Sequence, residues 1–269
     1  MPELPEVETV RAGLARLLKN KPVIAALELS GRKLRRPIPA GLKRRLKGQR
    51  IMAVRRRGKY LLIDTPRLTL INHLGMTGTW RLGEPDDKHD HITLRLRDGR
   101  ALIFRDPRRF GLFLDCPLKQ EAKNSWLKNL GREPLEDFAG AYLHAAAKKR
   151  RTGIKALIMD QKVVVGVGNI YASEALHRAG IAPGRRCSRI SKDRLDKLAR
   201  AIQKILKEAI AAGGTTISDF RQAGGSEGYF SCRLRVYDRA GEACRACGEL
   251  IRKMTHAGRS TYWCRRCQS

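Results

Sequence analysis

The spacing of hydrophobic residues changes part-way along the chain, and this change constrains the fold more than any other feature. Between residues 23 and 114, short apolar runs alternate with glycine, proline and polar turn residues. This pattern predicts β-strands, which we place at 23–29, 60–64, 68–71, 92–96 and 101–104. Asp98-Gly99 lies between the last two strands and is typical of a hairpin turn. The first half is therefore expected to form a β-sandwich or barrel.

Helical spacing precedes and follows this region. Apolar residues three or four positions apart predict one helix at 5–18, laid against the sheets by a single face. The same spacing predicts later helices at 141–151, 154–160, 170–179 and 192–211. Ser191 is a suitable N-cap for the last helix, and Gly213-Gly214 would end it. The predicted fold class is α+β, with a helical second half and a linker near residues 131–135.

Two Cys-x-x-Cys pairs near the C-terminus are separated by sixteen residues: Cys244 and Cys247, then Cys264 and Cys267. This spacing is typical of a zinc site in which four thiolates fill a tetrahedral shell. Such a shell has no open position, so we expect one structural Zn²⁺. Two disulfides are the alternative, which a reducing compartment disfavours. His256, between the pairs, could compete as a ligand, although four cysteines already suffice.

The charge balance points to a polyanionic partner. The chain of 269 residues has 56 Lys and Arg against 26 Asp and Glu, a formal net charge of +30. Nucleic acid is the commonest such partner. Anionic lipid is less favoured because no basic helix has a bulky aromatic face, and a generally basic proteome is a further alternative. No apolar stretch approaches the ~20 residues of a membrane span, and the acidic start does not resemble a signal peptide. We therefore expect a cytoplasmic protein.

The N-terminal segment, Met1 to Glu8, has two interpretations. Removal of Met1 would give Pro2 a free secondary amine, and an α-amine titrates near ~8, well below the ~10.4 of lysine. Such an amine is partly unprotonated at neutral pH and can attack an aldehyde-like carbon to form an iminium. The alternative is that Pro5 and the neighbouring glutamates only begin a helix, where proline and acidic residues are favoured.

Two kinds of loop suggest contacts with nucleic acid. The glycine-rich turn at 163–168 leads into the predicted helix at 170–179 with Asn169 at its N-cap, and amides at a helix N-terminus bind phosphate. It lacks the Gly-Lys-Ser/Thr of a Walker A loop, so a DNA-backbone contact is favoured over a nucleotide site. Other turn-like segments carry Met76, Arg108 and Phe110. Met76 and Phe110 are ordinarily core residues, but in a DNA-binding protein they can fill a gap in the base stack. Arg108 could then pair with the orphaned base.

These motifs together resemble those of the bacterial formamidopyrimidine-DNA glycosylase family. The matching segments are residues 2–9, 59–62, 73–76, 88–91, 106–111 and 165–174, and the four-cysteine finger that contains Arg259. They occur in one order from end to end. The related endonuclease VIII has Gly where this chain has Leu4, which favours the purine-lesion branch.

The resemblance implies three domains. An N-terminal β-sandwich with its long helix would span residues 1–133, and a helix-two-turns-helix domain would span 134–230. The zinc finger would span 231–269, with DNA bound in the cleft between the domains.

The resemblance also implies a bifunctional repair enzyme. It would excise oxidised purines, chiefly 8-oxoguanine and formamidopyrimidines, from double-stranded DNA and then cut the strand by β,δ-elimination. We expect a monomer in the bacterial cytoplasm, associated with the nucleoid and with no membrane partner. No redox cofactor is expected, because the iminium itself accepts the electrons.

By motif position, the resemblance assigns catalysis to four residues. Pro2 would attack C1′ of the sugar and displace the damaged base, and Glu3 would protonate the ring oxygen. Lys59 would contact phosphate and donate a proton during β-elimination. Arg259 would bind phosphate and serve δ-elimination.

The remaining assignments concern the DNA and the lesion. Met76, Arg108 and Phe110 would occupy the space left by the extruded nucleotide. Lys155 and residues 217–229 would lie near the everted base. The residues expected to contact DNA elsewhere are His73, His89, Arg108, Arg150, Asn169 and Tyr237.

Two other functions remain open from the sequence. A non-catalytic zinc protein that binds DNA on the same scaffold would form no covalent adduct with DNA. A ribosomal or RNA-binding protein would show no preference for duplex that carries a lesion.

Overall fold

The computed structural model describes residues 1–136, 138–148, 150–214 and 233–269. Their contacts divide into two compact units. The first contains Met1–Asn129 and residues 212–214, and the second contains the remaining described residues. Residues 217–229, expected near the everted base, lie outside the described residues.

The first unit is the expected β-sandwich of two antiparallel sheets. One sheet has the strand order β1-β6-β7-β5 and the other β2-β3-β4-β8, each with four strands. The strands are β1 (Ile24–Leu29), β2 (Ala53–Arg57), β3 (Tyr60–Asp64), β4 (Leu68–His73), β5 (Thr79–Leu82), β6 (Asp90–Leu96), β7 (Ala101–Arg105) and β8 (Leu112–Pro117). The predicted hairpin at Asp98-Gly99 joins β6 to β7, and Gly99 has a φ of 86°.

Helix α1 (Leu4–Leu17) packs against this sandwich, and a short helix, α2 (Leu42–Leu46), lies between β1 and β2. Glu3 is the N-cap of α1, and its N–H donates to the Glu6 carboxylate at 2.8 Å. Val7, Val10 and Leu14 form the buried face, so the predicted amphipathic helix is confirmed.

The second unit is helical and ends in a β-hairpin. Its helices are α3 (Gly140–Ala147), α4 (Ile154–Met159), α5 (Asn169–Ala179) and α6 (Lys192–Ala211), and its hairpin is β9 (Ile251–His256) with β10 (Arg259–Cys264). α5 packs against α4, α6 and β10. All its residues except Asn169 and Arg178 are buried. This central helix thus connects the helical part to the hairpin.

The ends of α6 agree with the sequence. The backbone N–H of Arg194 donates to Ser191 Oγ at 3.5 Å, as an N-cap requires. Beyond the helix, Gly213 and Gly214 have φ angles of 77° and 84°, which favour glycine.

Three strands of the sandwich were missing from the sequence prediction: β2, β5 and β8. All three are edge strands of their sheets. Edge strands carry charged residues that discourage further pairing, and β2 contains Arg55, Arg56 and Arg57 in succession. The apolar signal that identifies a central strand is therefore weak in these segments.

Helix α3 ends at Ala147, so the predicted end at residue 151 is wrong. The following backbone bonds to another segment: Arg150 C=O accepts from the Ser188 N–H at 3.2 Å, and Thr152 C=O accepts from the Cys187 N–H at 3.0 Å. No helix in the described part of the chain is both long and apolar enough to span a membrane.

Candidate functional site

Residues 2–7, which follow the exposed Met1, are buried in the first unit. Pro2 is buried, Glu3 is 3 % exposed and Lys59 is 6 % exposed. Glu3 is fixed by its N-cap position and by the Glu6 carboxylate, which accepts its N–H. The fold thus places a carboxylate next to the amine end of the chain, where the sequence predicts catalysis.

Charges around this end act on the N-terminal amine, which belongs to Met1 in the chain as it stands. Burial lowers the pKa of this amine below its usual 8.0; Glu3 and Glu6 oppose the shift, and Lys59 and Arg108 add to it. A lowered pKa leaves more amine unprotonated at neutral pH. The structure therefore brings Glu3, Lys59 and Arg108 within electrostatic reach of the amine.

Lys59 is held by a tight hairpin between β2 and β3. Arg57 pairs with Tyr60, so Gly58 and Lys59 form a two-residue loop. Gly58 has a φ of 56°, which suits a two-residue turn with glycine at its first central position. The rigid turn fixes the lysine at the end of a strand.

Two loops of the first unit, residues 73–78 and 106–111, carry the candidate base-stack residues and pack backbone to backbone. A Cβ atom on Gly75 would lie 2.5 Å from the Phe110 carbonyl carbon, a distance that real side chains do not adopt. Gly75 also has a φ of 68°. Only glycine allows this close approach.

The Asp106 carboxylate connects the same two loops. It accepts a hydrogen bond from Thr77 Oγ1 at 2.7 Å and another from the Gly111 N–H at 2.7 Å. Met76, beside Thr77, is half-buried, whereas Phe110 is 47 % exposed. The Arg108 guanidinium lies 4.9 Å from the centre of the Phe110 ring. The loops thus expose an aromatic ring and a cation together.

His73 lies at the end of β4 and is neutral at physiological pH. Burial lowers its pKa to about 4, with Lys59 and Arg35 contributing to the shift. Its Nδ1 accepts the Gly75 N–H at 2.9 Å, so the ring proton is on Nε2. His89, the other histidine expected to contact DNA, is half-buried before β6.

In the second unit, Lys155 and Asn169 lie together beneath the hairpin. Lys155 is 1 % exposed, and its Nζ donates to Asn169 Oδ1 at 2.6 Å and to Thr261 Oγ1 at 2.8 Å. Asn169 Nδ2 donates to the Ser260 carbonyl at 2.9 Å. Asn169 is the first residue of α5 and Gly168 is its N-cap, so the expected N-cap position of Asn169 is wrong.

Arg259 begins β10 beside the turn of the hairpin. Ala257 and Gly258 form this two-residue turn with φ angles of 49° and 71°, as a tight hairpin requires. The Arg259 side chain is exposed. It also borders a cavity of about 200 Å³ that is lined by Lys155, Asp160 and His256 among others.

The other two residues expected to contact DNA lie in this unit. Arg150 forms an exposed ion pair with Asp160 at 3.2 Å. Tyr237 packs edge-on against Tyr262, with 5.1 Å between ring centres.

The four predicted cysteine ligands converge. All four Sγ atoms lie within 4.8 Å of one another, with Cys244–Cys267 at 3.9 Å and Cys247–Cys264 at 3.5 Å. Zinc–sulfur bonds of ~2.3 Å in a tetrahedron require sulfurs about 3.8 Å apart, so the donor set fits Zn²⁺. No other group of three or more such ligands converges in the described ranges, and His256 is not part of this one.

Three supporting residues were not assigned roles from the sequence: Glu6, Asp106 and Glu174. The Glu174 carboxylate is buried and accepts the N–H groups of Arg235, Val236 and Tyr237 at 2.8–2.9 Å. Glu6 could have been found, because it lies three residues after the N-cap, as in a capping box. Asp106 bonds to the distant Thr77 hydroxyl and Glu174 to distant backbone, and no local signal predicts either contact.

Comparison with known families matches three successive segments of the chain. Residues 1–113 match the formamidopyrimidine-DNA glycosylase N-terminal domain, and residues 130–221 match the H2TH domain of the same proteins. Residues 241–269 match a zinc finger found in FPG and IleRS.

Curated proteins and solved structures agree with these matches. The formamidopyrimidine-DNA glycosylases of Bdellovibrio bacteriovorus and Alkalilimnicola ehrlichii are 48 % and 50 % identical, each over all of both chains. The MutM (Fpg) protein of Thermus thermophilus is 39 % identical, with a TM-score of 0.89 over 99 % of this chain and 98 % of that one. A Lactococcus lactis Fpg complex with DNA containing an oxidised pyrimidine is 35 % identical, with a TM-score of 0.91 over all of both chains. This protein therefore belongs to the formamidopyrimidine-DNA glycosylase family.

Proposed function

We propose that this protein is a bifunctional DNA glycosylase and abasic-site lyase that removes oxidised purines from double-stranded DNA. Solved Lactococcus lactis relatives are complexes with DNA that contains Fapy-dG, an oxidised pyrimidine or an abasic site. The observation that carries the proposal is the burial of Pro2 beside Glu3, near the charges of Lys59 and Arg108.

Pro2 is the proposed nucleophile once Met1 has been removed. The surroundings that lower the pKa of the Met1 amine would act on a Pro2 amine one residue away. The amine nitrogen attacks C1′ and loses its proton, and the bond to the damaged base breaks with its electron pair leaving on the base, which takes up a proton. Glu3 donates a proton to the sugar ring oxygen, so that the C1′–O bond opens and an iminium forms.

Strand cleavage follows from the iminium, which makes the C2′ proton acidic. Loss of that proton expels the 3′ phosphate, and a second elimination expels the 5′ phosphate. Lys59 is the proposed phosphate contact and proton donor of the first elimination, and Arg259 is the proposed phosphate contact of the second. Hydrolysis of the final iminium releases the sugar fragment and restores the Pro2 amine.

Extrusion of the damaged nucleotide is the proposed task of the two packed loops. A flipped base costs a few kcal/mol of lost stacking and pairing, which an inserted side chain offsets. Phe110 is exposed and Arg108 lies over its ring, so both can enter the stack, with Met76 beside them. Lys155 is proposed to support the lesion side through Asn169, the residue to which it donates a hydrogen bond.

Contacts with the DNA backbone are proposed for His73, His89, Arg108, Arg150, Asn169 and Tyr237. Neutral His73 offers its Nε2–H as a hydrogen-bond donor rather than a charge. If about five phosphates are neutralised in all, log K for DNA should fall against log salt with a slope near −4 to −5.

The finger is proposed to hold one structural Zn²⁺ through Cys244, Cys247, Cys264 and Cys267. The metal supplies folding energy to the hairpin that presents Arg259. We propose domains at 1–133, 134–230 and 231–269, and a monomer that acts in the cytoplasm on nucleoid DNA without a redox cofactor.

A borohydride trap on duplex DNA tests this function. The probe is a duplex with one 8-oxoguanine opposite cytosine, and parallel duplexes carry a formamidopyrimidine, an abasic site or no lesion. Reduction should fix a covalent protein–DNA adduct on damaged duplex only, and mass spectrometry should place the sugar on Pro2. Pro2→Gly should keep lesion binding and lose most excision, whereas Pro37→Gly, at an exposed proline, should be unaffected.

The outcomes separate the competing functions. Lesion binding without an adduct or strand cleavage would support a non-catalytic DNA-binding protein. Equal binding to damaged duplex, undamaged duplex and RNA would support an RNA-binding protein. An adduct on a residue other than Pro2 would retain the enzyme and reject the mechanism.

A further inference from the structure

A buried histidine lies against one of the four finger cysteines. His177, in the last turn of α5, is 6 % exposed, and Cys244 is 3 % exposed. Their Nε2 and Sγ atoms are 3.6 Å apart. This distance is suitable for a hydrogen bond to sulfur, whose radius exceeds that of oxygen.

The other ring nitrogen of His177 indicates where the proton is. Nδ1 is buried and has no hydrogen-bond partner among the described residues. A proton on Nδ1 would be a buried donor without an acceptor, and the Nε2 lone pair would then face the lone pairs of sulfur. A proton on Nε2 instead points at Sγ, so the contact with Cys244 is favourable only in that tautomer.

We propose that His177 donates an N–H···S hydrogen bond from Nε2 to the metal-bound thiolate of Cys244 and so slows loss of the metal. A coordinated thiolate retains negative charge, which strengthens a hydrogen bond that it accepts. Groups that hydrogen-bond to metal ligands fix their orientation and raise metal affinity. His177 is therefore a positioning residue for the finger and is not a fifth ligand.

The contact also completes the attachment of α5 to the finger. Near its start, Asn169 donates to the Ser260 carbonyl at 2.9 Å. Near its middle, Glu174 accepts the three N–H groups of residues 235–237. In its last turn, His177 reaches the cysteine that begins the first Cys-x-x-Cys pair. One helix thus contacts the hairpin, the segment before the first finger cysteine and one of the metal-binding cysteines.

Chelator competition on the zinc-loaded protein tests the proposal. The probe is excess 4-(2-pyridylazo)resorcinol, whose absorbance reports zinc release with time. His177→Phe fills the same space without a donor, and we expect release about tenfold faster than from the unaltered protein. His177→Gln retains an N–H donor and should restore slow release in part. His144→Phe, a half-exposed histidine of α3, is the matched control and should not change the rate.

A measurement on the unaltered protein covers the case in which His177→Phe does not fold. The metal is exchanged for ¹¹³Cd and histidine is labelled with ¹⁵N. The proposal requires an Nε2-protonated His177 ring with scalar coupling through its proton to cadmium. A ring protonated at Nδ1, direct Nε2–cadmium coordination, or unchanged zinc release from His177→Phe would each overturn it.

Because the proposal depends on the proposed zinc, metal content is measured first: an unaltered protein without zinc would reject the zinc site itself.

Discussion

The ammonium group of Lys155 lies 2.6 Å from Oδ1 of Asn169, in the interior of the second unit. The same Nζ donates to Thr261 on β10 at 2.8 Å, so one buried cation connects α4, α5 and the hairpin. A charge in such a place is stabilised by its hydrogen bonds, and its removal leaves polar partners buried without a donor. Lys155 thereby orients the amide that is proposed to contact DNA.

Lys155→Met should destabilise the protein and weaken DNA binding together. We expect a loss of about 1–3 kcal/mol in the free energy of unfolding, because Asn169 and Thr261 lose a shared donor. Denaturant unfolding and binding to an abasic-site duplex measure the two effects. Lys162→Met, at an exposed lysine of the same unit, is the control. Equal behaviour of the two variants would contradict the structural role.

Gly75→Ala should be far more damaging than Gly99→Ala. Both glycines have positive φ angles, 68° and 86°, but a Cβ would meet the Phe110 backbone at Gly75 and open space at Gly99. An alanine at a positive φ costs about 1–2 kcal/mol of stability in either variant. The conflict of the Gly75→Ala Cβ with the Phe110 backbone should add about 1–3 kcal/mol. Thermal unfolding of the two variants isolates the second contribution. Similar melting temperatures would show that the two loops do not need their close contact.

Phe110→Ala should weaken lesion recognition with little effect on stability. The ring is 47 % exposed, so its removal should change the free energy of unfolding by less than about 0.5 kcal/mol. Stacking on a base is worth about 1–3 kcal/mol. Affinity for lesion duplex should therefore fall about tenfold, and affinity for undamaged duplex much less, when both are titrated in the Pro2→Gly background. Met52→Ala, at another exposed apolar residue of the first unit, should alter neither affinity.

Cys264→Ser should remove zinc and DNA affinity together. Cys264 is buried and its Sγ lies 3.5 Å from that of Cys247, and three remaining thiolates hold the metal weakly. Elemental analysis should find zinc near one equivalent in the unaltered protein and far less in the variant. Cys116→Ser, an isolated cysteine of β8, should retain full zinc content. Full zinc in Cys264→Ser would reject the four-cysteine shell.

Acid should destabilise the fold partly through His73. Its pKa is about 4 in the folded protein and 6.5 ordinarily, so between these values the unfolded chain binds a proton that the folded one does not. The contribution of neutral His73 to the free energy of unfolding is therefore fully present above pH 6.5. About 2–3 kcal/mol of it is lost as the pH falls toward 4. His73→Asn, which can still accept the Gly75 N–H, should flatten this dependence in denaturant unfolding between pH 4 and 7. An unchanged pH dependence in His73→Asn would contradict this role of the ring.

Elements of this fold are predicted well where the spacing of their apolar residues is regular, as in the nearly continuous apolar run of one strand or the single buried face of a long helix. Tyr60–Asp64 and Lys192–Ala211 match their predicted bounds. The edge strands β2, β5 and β8 were missed, since charged residues interrupt their short apolar signal, whereas the edge strand β1 was predicted at 23–29 and spans Ile24–Leu29.

The residues of the candidate site also differ in whether the sequence predicts them. Residues that are proposed to carry chemistry, such as Glu3 and Lys59, belong to recognisable motifs. Residues that hold them depend on tertiary contacts: Asp106 joins two loops, and Glu174 bonds to backbone 61–63 residues away. No local pattern predicts such pairs, because the partners are distant in sequence, and those of Glu174 are peptide groups that any residue type could supply.

The three peptide N–H groups that donate to Glu174 bear on what happens to the finger when oxidation of its cysteines releases the metal. These three hydrogen bonds involve no sulfur and no metal, so loss of the ion removes none of their donors or acceptors. A demetallated hairpin would stay tethered at residues 235–237 beside its former partners. Once the cysteines are reduced again, rebinding of zinc would require only local closure of a short segment. Loss of the metal would then be reversible without refolding of the whole chain.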